Sequence, residues 1–359
     1  MAKIGIIDDW VNPKWLDRKR KIRHIFVREE DEKKNWDKNL LTHATTIAKI
    51  LERETKEFEI INFVLALQMN EAIHIQLLKR ALELCQKEEI NILCMSLGTV
   101  QLSERNAIYP LLRRAYEEEV ILIAAADNAG NYILPAALDE VIGVDAIMEE
   151  GDSCKYYQYE KNLWNIDFKV KFCFPIRMRD KYFYPSASFA VPVIAAKVND
   201  LLNQGIKGQK KIRQQLEKKA AGYLEMKGEG KQGGKERILP IVGSCDLDEN
   251  EWRILTDFMQ IHSGYEVLGV DVDGKIKDGY FLKSSEQNRK KWEDIICWAE
   301  EYTIADIIFI SALKKNKSFD LWIEKTQEGK CRCIVPETGK EICIESLEKV
   351  YLWILSALS

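Results

Sequence analysis

The sequence predicts an α/β protein in which a parallel sheet with helices on both faces is followed by a smaller C-terminal α/β or α+β domain. First, short apolar runs alternate with stretches of helical period through the first two hundred residues, a pattern typical of βαβ units. Second, residues 227–235 contain four glycines and no apolar side chain, which predicts a flexible linker. Third, the alternation restarts at residue 237. We therefore expect domains at 1–225 and 237–359, joined by a linker at 226–236.

The elements of the first domain follow from two patterns. Continuous apolar runs are typical of parallel strands that are buried on both faces. They predict strands at residues 3–7, 59–65, 90–95, 120–125 and 141–147. Elsewhere, apolar residues recur every three or four positions, which indicates helices with one buried face. These helices are predicted at residues 43–53, 72–87, 104–118, about 187–202 and 210–224.

The second domain shows the same patterns and adds a hairpin. Asp273-Gly274 stands between two apolar runs and predicts a tight turn that joins strands 265–271 and 279–283. A calcium loop is the alternative, but its twelfth position is Leu282, where a bidentate Glu is needed. The other predicted elements are, in order, strand 238–242, helix 249–262, helix 287–302, strand 306–311, a meander at 320–324, 330–335 and 341–344, and helix 346–358.

Composition excludes several classes of partner. The 53 basic and 57 acidic residues give a net charge of −4, which provides no positive excess for a nucleic acid or an anionic membrane. The longest apolar runs, such as residues 120–126, fall far short of the ~20 residues that span a bilayer. The nine cysteines are odd in number and scattered, as is typical of reduced thiols. Asp8 and Asp9 interrupt the first apolar run before a signal peptide could form, so we expect a cytoplasmic protein.

Four polar residues stand where an open α/β sheet binds its ligands, at strand ends and helix starts. Asp8 ends the first strand, and His43 opens a helix. Asn128 follows a strand, and Ser188 opens another helix. They supply a carboxylate, a base, an amide donor and a nucleophile, the groups used in acyl transfer. Taken singly, each has an ordinary alternative: a turn for Asp8, a cap or surface residue for His43, and a helix N-cap for Ser188.

The segments around these four positions carry a family resemblance. They are Ile4-Gly5-Ile6-Ile7-Asp8, His43-Ala44-Thr45-Thr46-Ile47-Ala48, Ile90-Asn91-Ile92-Leu93-Cys94-Met95-Ser96-Leu97-Gly98, Ala124-Ala125-Ala126-Asp127-Asn128-Ala129-Gly130, Leu134-Pro135-Ala136-Ala137 with Glu140-Val141-Ile142-Gly143-Val144, and Ser186-Ala187-Ser188-Phe189-Ala190-Val191-Pro192. In this order they resemble the signatures of the subtilisin-like serine proteases, the subtilases. The order Asp…His…Ser is also that of subtilisin. The resemblance covers residues 3 to about 202 and implies a subtilisin-like parallel sheet with helices on both faces.

The resemblance implies a role for each site residue. Ser188 is the nucleophile, His43 is the general base and acid, and Asp8 orients the imidazole. Asn128 donates to the oxyanion together with the backbone N–H of Ser188. The segment Ser96-Leu97-Gly98 binds an extended peptide substrate as an added antiparallel strand.

Several residues depart from the family pattern. Ala44 stands for a glycine, Thr46 for a histidine, and Ser186-Ala187 for Gly-Thr. Asp127 stands for a glycine at the wall of the primary specificity pocket, and we hypothesise that it favours Lys or Arg at the cleavage site. The calcium-binding loops of the family are not found in residues 151–184, so we expect neither a metal nor a cofactor.

The resemblance implies an intracellular serine endopeptidase that cleaves peptide bonds through an acyl-enzyme. We expect limited processing of a specific precursor peptide, such as removal of a leader from a ribosomally made peptide, because no propeptide precedes the first strand and another restraint is needed. The alternative is a catalytically inactive subtilase-fold protein that binds peptides or acts as a scaffold. A third hypothesis assigns the main activity to residues 237–359. The oligomeric state stays open.

Overall fold

The computed structural model forms two compact units, the first comprising residues 1–100 and 104–227, and the second residues 101–103 and 228–359. The described residues are 1–65, 75–148, 157–161, 166–172, 176–178, 181–183, 186–220, 223–225, 239–272, 274–276, 281–283, 296, 299, 303–312, 314–315 and 318–358. The predicted linker at 226–236 and most of the predicted helix 287–302 lie outside them.

The first unit is built on a nine-stranded sheet. Its strands are β1 (Ala2–Asp8), β2 (Ile22–Phe26), β3 (Phe58–Val64), β4 (Ile92–Met95), β5 (Ile121–Ala125), β6 (Val141–Met148), β7 (Tyr157–Lys161), β8 (Ile166–Phe172) and β11 (Tyr223–Glu225). Their order across the sheet is β11-β7-β8-β6-β5-β4-β1-β3-β2, and every neighbouring pair is parallel except β7 with β8. The short strands β9 (Ile176–Met178) and β10 (Lys181–Phe183) form a separate antiparallel pair.

Helices flank this sheet and bury its central strands. They are α1 (Glu29–Glu32), α2 (His43–Glu54), α3 (Ile75–Cys85), α4 (Arg105–Glu117), α5 (Ala187–Asn203) and α6 (Gln209–Lys219). All residues of β4 and β5 are buried, which explains their continuous apolar runs. The helix α5 packs against α2, β4, β5 and β6, and twelve of its seventeen residues are buried. The predicted parallel α/β fold is therefore confirmed.

The edges of the sheet differ from the sequence prediction. The predicted helix 210–224 ends at Lys219, because Ala220 adopts an extended backbone (φ −64°, ψ 142°). Residues Tyr223–Glu225 then form β11, parallel to β7. The edge strand β2 was not predicted, because it is only half-buried and lacks a continuous apolar run. The strand β8 was also missed, although its apolar residues alternate with polar ones, a period typical of a strand.

The second unit contains a seven-stranded sheet of mixed direction. Its strands are β12 (Ile241–Ser244), β13 (Val267–Asp271), β14 (Phe281–Lys283), β15 (Ile307–Ser311), β16 (Leu321–Lys325), β17 (Cys331–Val335) and β18 (Lys340–Ile344), with helices α7 (Glu249–Ser263) and α8 (Leu347–Leu358). The order is β14-β13-β15-β12-β16-β17-β18. The first five strands are parallel, and β16 to β18 form the predicted antiparallel meander. Among the described residues, no helix is long and apolar enough to cross a membrane.

The predicted hairpin in this unit is wrong. The strands β13 and β14 pair, but they are parallel, so no two-residue turn at Asp273-Gly274 joins them. The Asp271 carboxylate at the end of β13 accepts hydrogen bonds from the N–H groups of Lys275 (3.3 Å) and Ile276 (3.0 Å). These bonds attach the backbone of Lys275 and Ile276 to the end of β13.

Candidate active site

The predicted site residues lie at the carboxyl edge of the first sheet, where parallel α/β sheets hold their ligands. Asp8 is the last residue of β1, and His43 is the first residue of α2. Ser96 directly follows β4, Asn128 lies three residues after β5, and Ser188 is the second residue of α5. Residues far apart in the sequence meet here because parallel strands all end at the same edge.

The Asp8 carboxylate holds the His43 imidazole. His43 Nδ1 lies 2.9 Å from Oδ2 and 3.1 Å from Oδ1 of Asp8. Because a carboxylate only accepts hydrogen bonds, Nδ1 carries the proton and Nε2 is left as the basic nitrogen. The carboxylate also accepts hydrogen bonds from the Asp9 N–H (2.7 Å) and from the Ser96 hydroxyl. The Asp8 side chain is 9 % exposed, whereas that of His43 is 38 % exposed.

Burial and charge act in opposite directions on this pair. Burial favours the neutral form of Asp8, but the charge and hydrogen bond of His43, with the Ser96 hydroxyl, lower the Asp8 pKa. Burial also disfavours the charged imidazole, but the charge and hydrogen bond of Asp8, with the charge of Asp9, raise the His43 pKa. The arrangement suits a base that must hold a proton taken from a hydroxyl.

Ser188 lies beside this pair at the N-terminus of α5. The helix begins at Ala187, and Ser186 is its N-cap. The Ser188 hydroxyl donates a hydrogen bond of 3.3 Å to the Ser96 carbonyl rather than to His43 Nε2. The next residue, Phe189, packs its ring against the His43 ring, with 5.1 Å between the centroids. The Ser188 hydroxyl is therefore directed at a backbone oxygen, while the residue that follows it contacts the His43 ring.

Pro192 lies in the second turn of α5. The helix starts at Ala187, so Pro192 is its sixth residue. A proline has no N–H for the carbonyl four residues earlier, which belongs to Ser188. The Ser188 carbonyl therefore lacks the intrahelical hydrogen bond that a residue with an N–H at position 192 would donate.

The Asn128 side chain is oriented by the start of α5. Its Oδ1 accepts a hydrogen bond of 3.1 Å from the Ala187 N–H. Since a backbone N–H can only donate, this contact assigns the oxygen of the amide to α5 and directs the Nδ2 donors elsewhere. Asn128 is exposed, so its donors can reach a bound substrate.

Asp127 closes its own loop. Its Oδ2 accepts hydrogen bonds from the Ala129 N–H (3.1 Å), the Asn131 N–H (3.1 Å) and Asn131 Nδ2 (2.8 Å). Gly130, within this loop, has a φ of +82°, a conformation that favours glycine. The sequence suggested a specificity residue at position 127, and the structure adds a loop-closing role that the sequence did not suggest.

The segment Ser96-Leu97-Gly98 is anchored just beyond its end. Thr99 and Leu134 exchange two backbone hydrogen bonds of 2.7 and 2.8 Å as an antiparallel bridge. A Cβ atom on Gly98 would lie 2.2 Å from the Leu134 carbonyl oxygen, so only glycine fits there without movement of the backbone. The bridge anchors the residue that follows the segment, and the Ser96 carbonyl at its other end accepts the hydrogen bond from Ser188.

Asp9 is the site residue that sequence reasoning missed. Its carboxylate accepts hydrogen bonds from the backbone N–H groups of His43 (3.1 Å) and Ala44 (2.7 Å). Burial, and then the charge of Asp8, raise the Asp9 pKa to about 6, against the effect of these hydrogen bonds. The adjacent pair Asp8-Asp9 was visible in the sequence, but no local pattern links it to a helix that begins 34 residues later.

Three solved structures are similar to the chain at low sequence identity. The prenylagaramide maturation protease PagA is 15 % identical, with 60 % of this chain and 80 % of that chain covered and a TM-score of 0.43. A lanthipeptide protease is 14 % identical, with 59 % and 78 % covered and a TM-score of 0.43. The self-cleaved protease domain of PatA is 16 % identical, with 62 % and 93 % covered and a TM-score of 0.44.

Sequence comparison identifies the family. None of the curated proteins matches the chain. The subtilase family matches residues 1–221, which is more than half of the chain and includes every predicted site residue. This match confirms the resemblance found in the six sequence segments. The chain belongs to the subtilase family of serine proteases.

Proposed function

We propose that this subtilase is an active serine endopeptidase that hydrolyses peptide bonds through an acyl-enzyme on Ser188. The observation that carries the proposal is the hydrogen-bonded pair of Asp8 and His43 beside the helix N-terminus that bears Ser188. The basic Nε2 of the imidazole follows from the bond at Nδ1, so the base has the tautomer that the reaction needs.

In the proposed reaction, Ser188 Oγ attacks the scissile carbonyl carbon while His43 Nε2 takes the hydroxyl proton. Asp8 stabilises the resulting imidazolium through Nδ1–H. The C–N bond then breaks as the imidazolium returns the proton to the leaving amine. A water molecule, deprotonated by the same Nε2, hydrolyses the acyl-enzyme and restores the Ser188 hydroxyl.

Two donors are proposed for the oxyanion. The first is Asn128 Nδ2, because the Ala187 N–H occupies the oxygen of the same amide. The second is the backbone N–H of Ser188, since N–H groups in the first turn of a helix have no intrahelical acceptor. The dipole of α5 adds to the stabilisation of negative charge at its N-terminus.

The Ser188 hydroxyl has to turn from the Ser96 carbonyl to His43 Nε2 before attack. We propose that rotation about the Cα–Cβ bond of Ser188 brings about this change. Hydrogen bonds between catalytic groups are often long or misaligned without substrate and tighten when it binds. We therefore expect that a bound peptide completes the arrangement.

The proposed substrate is an extended segment of a precursor peptide. It would pair with Ser96-Leu97-Gly98 as an added strand, which requires an unfolded backbone and limits the enzyme to flexible substrates. We propose limited processing of such a precursor rather than general degradation. Asp127 is proposed to favour Lys or Arg before the scissile bond. Peptides that differ only at that residue test this preference, and equal cleavage after an apolar residue would contradict it.

Labelling with a fluorophosphonate tests the proposed activity. Wild-type protein and Ser188→Ala are treated in parallel, and the adducts are read by intact mass. A stoichiometric adduct on the wild type alone is expected, because only an activated serine reacts with this class of reagent. Ser186→Ala is the matched control, since it removes a neighbouring hydroxyl and leaves the nucleophile in place. An adduct that persists in Ser188→Ala would show that the reactive serine has been misidentified.

The second candidate function is peptide binding without turnover. The observation that favours it is the direction of the Ser188 hydroxyl, which donates to Ser96 instead of His43. An inactive protein of this kind would bind an extended peptide with the same affinity in the wild type and in Ser188→Ala, and neither would be labelled or cleave the peptide.

We propose that the protein acts in the cytoplasm. The six cysteines that the structure describes, Cys85, Cys94, Cys245, Cys331, Cys333 and Cys343, are all free thiols. Free thiols are typical of reducing compartments. Thiol titration of the purified protein under native and denaturing conditions tests the prediction that the cysteines are reduced.

A further inference from the structure

The N-terminus of α2 is capped by two residues that divide its unpaired donors. The N–H groups of the three residues that follow the N-cap have no acceptor within the helix. The Asp9 carboxylate accepts from the first two, His43 and Ala44. The Thr42 hydroxyl oxygen accepts from the third, Thr45, at 3.1 Å. Thr42 is the expected N-cap, but Asp9 acts from a different element of the structure.

The Asn62 side chain forms hydrogen bonds with the backbone of the turn that carries Asp9. This residue of β3 is completely buried. Its Oδ1 accepts a hydrogen bond from the Val11 N–H (2.9 Å), and its Nδ2 donates to the Asp9 carbonyl (3.1 Å). The Thr42 hydroxyl donates to the Trp10 carbonyl at 2.6 Å on the other side of the turn. The backbone of Asp9 is therefore fixed relative to both β3 and α2.

The two neighbouring carboxylates act on one histidine at different atoms. Asp8 accepts from the imidazole at Nδ1, and Asp9 accepts from the backbone N–H of the same residue. The charged groups that act on Asp9 are Asp8 and His43. Asp9 thus adds a second negative charge near the imidazole without occupying either ring nitrogen.

We propose that Asp9 is a positioning residue of this site: its carboxylate fixes the backbone of His43 so that the imidazole meets both Asp8 and Ser188, and its charge stabilises the imidazolium. The inference rests on the proposed function, because it gives Asp9 a part in the same reaction. Asp9 does not touch the reacting atoms, so its effect is transmitted through His43.

The test compares Asp9→Asn and Asp9→Ala with the wild type. Asp9→Asn keeps the shape and one acceptor oxygen but removes the charge, whereas Asp9→Ala removes both. Asp248→Asn is the matched control, because Asp248 caps α7 in the second unit through the Glu251 N–H and lies outside the site. Thermal unfolding of all variants shows which of them are folded.

The first readout is the His43 pKa, measured by NMR of the imidazole protons. The chain has four histidines, so the signals are resolvable, and His43→Gln assigns the one of interest. A lower His43 pKa in Asp9→Asn than in the wild type is expected, with no change in Asp248→Asn. An unchanged His43 pKa in both Asp9 variants would overturn the proposal.

The second readout is the pH profile of kcat/KM on a cleaved peptide. Misplacement of a catalytic group by a remote change costs roughly a hundredfold, so we expect kcat to fall between tenfold and a hundredfold in Asp9→Asn, with KM unchanged. The acidic limb of the profile is expected to move to lower pH. A loss of stability alone would lower the amount of active protein but would not move this limb, and a fixed limb would therefore contradict the proposal.

The NMR readout separates this inference from the proposed function. If the wild type is neither labelled nor active, the proposed function fails, and the His43 pKa still reports whether Asp9 acts on the imidazole. If the wild type is active and Asp9→Asn matches it in kcat and in His43 pKa, the proposed function stands and the role of Asp9 is wrong.

Discussion

Replacement of Asn128 tests two roles of one side chain, namely the hydrogen bond that it accepts from α5 and the hydrogen bond that it is proposed to donate to the oxyanion. Its oxygen accepts from the Ala187 N–H at 3.1 Å, and its nitrogen is proposed to donate to the oxyanion. Loss of one oxyanion donor costs about 10²–10³ in kcat, or about 2.7–4 kcal/mol. Asn128→Ala also leaves the first N–H of α5 without its acceptor, which costs roughly 0.5–2 kcal/mol of stability, the range for a lost N-cap.

Asn128→Asp distinguishes these effects, because aspartate keeps the acceptor oxygen and replaces the donor with a negative oxygen. We expect Asn128→Ala to lose both kcat and stability, and Asn128→Asp to lose at least as much kcat with its stability retained. KM is expected to stay constant in both variants, because the donor acts in the transition state. The assays are steady-state cleavage of a peptide and thermal unfolding.

Asn39→Ala is the control for this series, because Asn39 is exposed and bonds only Lys14 through its side chain among the contacts in the described part of the chain. It is expected to match the wild type in both assays. The reasoning is refuted if folded Asn128→Asp retains kcat within about threefold of the wild type, since even one lost donor should cost about a hundredfold.

Three further predictions concern the pH dependence of activity, the Asp8 carboxylate and backbone packing at Gly98. We expect kcat/KM to fall as the pH drops through the His43 pKa, which lies above the ordinary value of 6.5, because only the neutral imidazole accepts the Ser188 proton. Asp8→Asn is expected to reduce kcat about 10⁴-fold, and a flat profile across this range in the wild type would contradict the assignment of His43. Gly98→Ala is expected to lower the free energy of unfolding by about 1–3 kcal/mol, because its Cβ would lie 2.2 Å from the Leu134 carbonyl oxygen. Urea denaturation measures this loss, and an unchanged midpoint would show that the backbone adjusts at no cost.

The parts of the fold that could be predicted from the sequence are those with strong local signals. The strands β1, β4 and β5 are buried along almost their whole length, so each appears as an unbroken apolar run. The site residues could be placed because parallel strands end at a common edge. The packing of Asp8 against His43 then followed from the family resemblance and not from spacing.

The features that could not be predicted depend on contacts between distant segments. The strand β11 exists through its pairing with β7, and its three residues are too few to show a period. The turn signal at Asp273-Gly274 predicted an antiparallel hairpin, whereas β13 and β14 pair in parallel. The Asp271 carboxylate accepts hydrogen bonds from the following backbone, a contact that the sequence pattern does not reveal. The capping of α2 by Asp9 joins residues that no helix-start pattern connects.

The buried position of α5 makes the proposed active site depend on the completion of folding. Ser188 is separated from Asp8 by 180 residues, and the helix that carries it packs against α2, β4, β5 and β6. Contacts between residues so far apart in the sequence are expected to form late in folding, because closing the intervening loop costs conformational entropy before the contacts can stabilise the fold. If the proposed activity is correct, a nascent chain in which only β1 and α2 have emerged still lacks Ser188 and cannot cut neighbouring unfolded polypeptides during its own synthesis.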